Sequence, residues 1–189
     1  MLSWFRNRRR RKATAQNFYG SIVAQARQAD FCAKLHVPDS LEGRFELLVI
    51  HVFLVTNALQ RAGREYGELT KNLVGLFITD VDATMRELGV SDMRVSKKMH
   101  ALTDVFYSRM HVYRDALEGK GLDALASVLL EHVYLGRSAR RNDSRKLASY
   151  MMRCDRKMGW DERRLEDNPT VDFAPIIGRG KSQRRHKSS

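Results

Sequence analysis

Cys32 and His36 are the first residues whose types and spacing suggest chemistry. Four positions apart on a helix, they share one face, and a thiolate and an imidazole there could take two positions on a zinc ion. A structural site needs four ligands, and no second pair stands nearby in sequence. Gly180-Lys181-Ser182 has the ending of a phosphate-binding loop. That loop requires a glycine five positions earlier, where Pro175 stands, and neither a strand nor a helix frames it. The carboxylates Asp80, Asp82, Glu65 and Glu68 have no spacing that pairs an acid with a base, and they read as solvated or salt-bridged side chains. His51 lies inside an apolar segment and reads as a hydrogen-bonded core histidine. His100 and His111 fall on the polar side of a helical pattern, and His132 reads as structural. The expectation is a non-enzymatic protein with no metal and no cofactor.

What the sequence does carry is charge at its ends. Of 34 basic residues, six lie in residues 1–12 and five in 177–189, with no acid in either segment. That leaves 23 basic against 22 acidic residues in the middle. The body is nearly neutral and both ends are basic arms, residues 1–13 and 161–189, each expected to be largely disordered around a domain of residues 14–160. In the first arm Trp4 and Phe5 precede Arg8, Arg9, Arg10 and Arg11. Aromatic rings favour the headgroup boundary and arginine favours anionic lipid, so these six residues are candidate membrane contacts. The same arginines suit RNA phosphate, so a ribosome- or RNA-associated protein is the competing reading. Two cysteines form no disulfide framework.

The elements that must position any site are helices. Apolar residues recur at helical spacing throughout, and about six helices are expected in one compact all-α bundle. The first starts near Thr14, places Phe18, Ile22 and Ala26 on one side, and fades before Pro38. Asp39-Ser40-Leu41-Glu42 carries a capping signal for the second. Its apolar run, Leu47 to Leu59, is 13 residues, shorter than the ~20 of a membrane span, and reads as a buried core helix. A third helix, from Leu69 to Leu88, closes at Gly89. Ser91 or Asp92 can cap a fourth, whose stripe is Val95, Met99, Leu102, Phe106, Met110, Tyr113 and Leu117. Two more follow, one with the stripe Leu122, Leu125, Leu129 and Val133 that ends at Gly136, and one through Leu147, Tyr150, Met151 and Met158. Beyond Trp160 the pattern dissolves.

Three segments in register resemble the ubiquinol–cytochrome c chaperone family, assembly factors for respiratory complex III in mitochondria and alphaproteobacteria. They are Tyr19 with Ile22, Val23 and Gln25-Ala26-Arg27; Val37-Pro38-Asp39-Ser40 leading to Gly43-Arg44-Phe45-Glu46; and Asp82 with the run from Met85 to Asp92, then Val95, Lys97-Lys98-Met99, Phe106-Tyr107-Ser108-Arg109 and Tyr113. The resemblance covers residues 18–135. Ser91 and Ser108 stand where the family pattern commonly has glycine.

The resemblance implies an all-α, alphaproteobacterial member that chaperones newly made cytochrome b. It implies contact with the ribosome and a small partner factor, as in mitochondrial members. The expected location is the cytoplasmic side of the inner membrane, held peripherally. It supplies no catalytic residues. On this reading Arg86, Asp92, Tyr107, Arg109 and Tyr113 fix the junction between the third and fourth helices or line a client groove.

Overall fold

The computed structural model describes residues 2–119, 121–160 and 169–177, with side chains from Arg9 onward except that of Met93. Among these residues there are seven α-helices and no strand: α1 (Leu2–Ala26), α2 (Asp30–Leu35), α3 (Leu41–Ala62), α4 (Gly67–Glu87), α5 (Asp92–Gly119), α6 (Gly121–His132) and α7 (Arg141–Lys157). Short 3₁₀ turns precede α4 and α7.

Helix α3 is the axis of the bundle. Every residue from Val49 to Leu59 is buried, so the helix is covered on all sides. By length and composition alone α3 could cross a bilayer, but 72% of its apolar window is enclosed by the other helices. It is a core helix, as the length of its apolar run suggests. Its start is set by two local devices. The Gly43 N–H donates to the Ser40 side chain at 3.2 Å, which makes Ser40, not Asp39, the cap. Gly43 also passes close to the preceding loop, and a Cβ there would lie 2.0 Å from the Pro38 carbonyl oxygen. Only glycine lets the helix begin at this angle.

Helices α1, α4, α5 and α7 pack on α3, and α6 packs between α5 and α7. Phe18, Ile22 and Ala26 of α1 are buried together, as their spacing requires. Tyr19 donates to Asp80 at 2.7 Å and ties α1 to α4. The α5 stripe buries Val95, Phe106, Met110 and Tyr113, and Phe106 stacks 4.7 Å from Phe77 of α4. Gly89 ends α4 in the left-handed region, with φ +76°, and Val90 donates back to Met85.

Three differences from the sequence reading have simple causes. The first helix begins at Leu2, well before Thr14, because arginine and lysine are good helix formers and nothing in residues 2–13 interrupts the backbone. The stretch read as its end is a separate helix, α2, divided from α1 by a turn at residues 27–29. The third lies at the other end of the chain, where residues 169–177 return to the core beyond Trp160. Val171, Phe173, Ala174 and Ile176 are buried, and Arg153 donates to the carbonyls of Pro175 and Ile176. This segment is short and irregular, so it has no helical period to detect. Residues 178–189, with Gly180-Lys181-Ser182 and the basic C-terminal arm, lie outside the described residues.

Candidate functional site

Between the C-terminal half of α1, α2, the start of α3, the end of α4 and the middle of α5 lies an open groove of about 1420 Å³. Small-molecule pockets usually hold roughly 300–1,000 Å³. A helix about 10 Å across would occupy this volume for ~3 turns. Its walls are mainly apolar: Val23 and Ala26, Phe45 and Leu48, Val81 and Met85, Leu102 and Val105. Three leucines on its lining are turned toward solvent, Leu41 at 43%, Leu88 at 59% and Leu135 at 66% exposed. They account for three of the five large hydrophobic side chains exposed among the described residues. Exposed leucines gathered on one concavity mark a surface meant to be covered.

Charged groups of both signs edge the groove. Arg44 pairs with Asp39, while Lys98 has no carboxylate partner among the described residues. In the groove wall, Arg109 reaches across from α5 to Glu46 of α3. Its Nε donates at 3.1 Å and its Nη2 at 3.0 Å to Oε1. The Tyr113 hydroxyl donates to Oε2 at 3.2 Å. The Glu46 and Arg109 side chains are only 7% and 16% exposed. Both carboxylate oxygens are therefore committed, so Glu46 fixes the α3–α5 crossing. Burial and the neighbouring Glu46 charge push the Tyr113 hydroxyl well above its ordinary pKa. His132, also on the lining, is pushed down by burial and then by the Arg109 charge.

Cys32 lines the same groove, with its thiol pKa raised by burial and by Asp39, against a smaller opposing effect of Arg44. It does not join His36 in a metal site. His36 Nδ1 stands 3.1 Å from Asp143, which also accepts from Arg140 and Lys146. Burial alone would raise the Asp143 pKa, but these cations hold it below the usual carboxylate range. Among the described residues no group of three or more His, Cys, Asp or Glu could hold a metal.

The five residues expected at the α4–α5 junction fall into three places. Arg109 lies on the groove and Tyr113 is buried beside it, joined through Glu46. Arg86 and Asp92 brace the turn between α4 and α5. Arg86 donates to Asp82 at 2.7 Å and also bonds Asp92, on the exposed outside of the turn. Tyr107 stands apart, half exposed, with its ring edge against Phe106. Of the expected membrane contacts, Arg9, Arg10 and Arg11 are exposed on α1. The backbone of Trp4, Phe5 and Arg8 belongs to α1, and their side chains lie outside the described residues. Sequence reasoning missed the rim itself: Leu41, Leu88 and Leu135. Leu135 follows the last stripe position, Val133, and precedes Gly136, which is the one local sign that it is not a core residue.

With this geometry in hand, comparison with known proteins is informative. Residues 33–159, from α2 through α7, match the model of the family described as ubiquinol–cytochrome C chaperone. Ubiquinol-cytochrome-c reductase complex assembly factor 1 of Xenopus laevis is 22% identical over 106 residues, which is 56% of this chain and 53% of that protein. The Homo sapiens protein of that name is 24% identical over 106 residues, 56% of this chain and 36% of its own length. The chain thus spans about half the length, or less, of the curated relatives it matches. The crystal structure of the Cbp3 homolog from Brucella abortus superimposes with a TM-score of 0.81 and 28% identity, covering 93% of this chain and 97% of that one. The chain belongs to the ubiquinol–cytochrome c chaperone family.

Proposed function

We propose that the protein is a non-enzymatic assembly chaperone for ubiquinol–cytochrome c reductase that binds newly made cytochrome b at a membrane surface. The observation that carries this reading is the groove, apolar, larger than a small-molecule site and edged by exposed leucines. A client helix would lay its apolar face on Val81, Met85, Leu102 and Val105, and its polar flanks would meet the charged edge. Arg109, anchored on Glu46, sets the width of the groove by fixing α5 against α3. Arg86 and Asp92 set the angle at which α4 hands over to α5.

In this account the start of α1 is the membrane contact, through Trp4, Phe5 and Arg8–Arg11. Each basic residue near an anionic surface contributes ~1 kcal/mol, screened by salt. The protein then works peripherally on the cytoplasmic face of the inner membrane. Replacing Trp4, Phe5 and the arginine run with serine is expected to move it from the membrane pellet to the supernatant without lowering its melting temperature. The client reading is tested by affinity capture of the tagged protein from mildly solubilised native membranes. Cytochrome b recovered without mature complex III is the expected result. Ribosomal proteins and RNA alone would replace it with the RNA-associated reading.

A further inference from the structure

The corner between α6 and α7 combines three features that general packing does not explain. Leu135 has φ +54°, in the left-handed region that favours glycine or asparagine, and it is 66% exposed. Asparagine would relieve both the strain and the exposed apolar surface, so leucine at this position is unfavourable on two counts at once. The conformation is imposed from either side. Buried Tyr134 donates its hydroxyl to the Leu35 carbonyl at 2.8 Å, and the Gly136 N–H closes back onto the Leu130 carbonyl at 2.9 Å. Locked in this way, the leucine side chain can only project outward.

A basic cluster follows at once. Residues 137–146 hold Arg137, Arg140, Arg141, Arg145 and Lys146 against a single acid, Asp143. Asp143 is buried and already shared by Arg140, Lys146 and His36. Arg145 pairs with Asp123 of α6. Arg137 and Arg141 are exposed and have no carboxylate partner among the described residues.

We infer that this corner is a second membrane-contact site, in which Leu135 enters the headgroup boundary of an anionic bilayer while Arg137 and Arg141 take lipid phosphates. An apolar tip beside unpaired arginines matches that boundary, where one end of a contact is apolar and the other is wet and anionic. A nucleic acid would use the arginines and give the leucine beside them no part in the contact. The corner sits against the end of α2, whereas the Trp4–Arg11 segment lies at the start of α1. Leu135 also lines the groove, so a membrane contact here brings the groove mouth to the bilayer surface. The inference rests on the proposed work at the membrane.

The test is co-sedimentation of the full chain with vesicles of phosphatidylcholine alone or with about one-third phosphatidylglycerol. It involves no client, so its outcome is independent of cytochrome b capture. The R137S/R141S variant is expected to bind the anionic vesicles about thirtyfold more weakly than the parent chain at low salt, with the same melting temperature. L135N is expected to bind more weakly while melting no lower, since asparagine suits the left-handed turn. Unchanged anionic-vesicle binding in both variants overturns the inference. Unchanged vesicle binding with weakened ribosome binding overturns it too, and assigns the corner to RNA.

Discussion

Two buried polar networks cross the bundle from α3, and they are built differently. One centres on His51. Gln25 of α1 donates to the Tyr150 hydroxyl at 3.1 Å, Tyr150 stands 2.7 Å from His51 Nε2, and His51 Nδ1 stands 2.6 Å from the Leu47 carbonyl. The tautomer that satisfies this chain has the proton on Nδ1, donated to Leu47, and Nε2 accepting from Tyr150. The network is neutral, sealed, and flanked by the Phe31 and Phe173 rings. The other centres on Glu46, carries two full charges, and lies along the groove. The sealed network holds α1, α3 and α7 in one body. The charged one holds α5 at a set distance from α3 beside an open surface. The neutral chain is enclosed by the helices around it, and the forked ion pair lies on the lining of the open groove.

The largest effect is expected from breaking the charged network on one side. Glu46→Ala leaves the Arg109 guanidinium nearly buried without its partner and is expected to cost ~3 kcal/mol in denaturant unfolding. The paired replacement Glu46→Met with Arg109→Met removes both charges and is expected to recover most of that stability while still impairing client capture. If the pair serves stability alone, capture returns together with it.

The sealed network predicts a pH dependence instead. Burial pushes the His51 pKa down to about 4 from its ordinary 6.5. Between those values the unfolded chain binds more protons than the folded one, so stability rises with pH through the window. Acidification from pH 7 to pH 4 is then expected to lose ~3 kcal/mol through this residue. His51→Gln should flatten that slope, as measured by urea unfolding at several pH values. Smaller again is Tyr113→Phe, which removes one hydrogen bond to a charged acceptor and is expected to cost ~1.5 kcal/mol. Gln25→Leu, at the outer end of the neutral chain, is expected to cost ~1 kcal/mol.

Most of the helical order was legible because it is a local property. The α5 stripe, the Gly89 stop and the buried run of α3 each follow from spacing within a few turns. The site was less legible because its parts are distant. Arg109 and Tyr113 stood out in sequence, but Glu46, which joins them, lies 63 residues before Arg109 and belongs to another helix. Nothing in spacing pairs those two. Arg86 and Asp92 are six residues apart, and their contact is the kind a turn makes readable. The groove is a property of six helices at once, α1 to α6, so no single stretch displays it. Residues 169–177 escaped notice for a related reason. Phe173 finds its partner, His51, on a helix that ended more than a hundred residues earlier in the chain.

The central claim is that the groove receives cytochrome b, and site-specific photo-crosslinking in living cells tests it most directly. A crosslinking residue at Leu41 or Leu88 on the rim is expected to capture cytochrome b, while the same residue at Lys71, exposed on α4 and away from the groove lining, is not. Equal capture from all three positions, or none from the rim, would contradict the account.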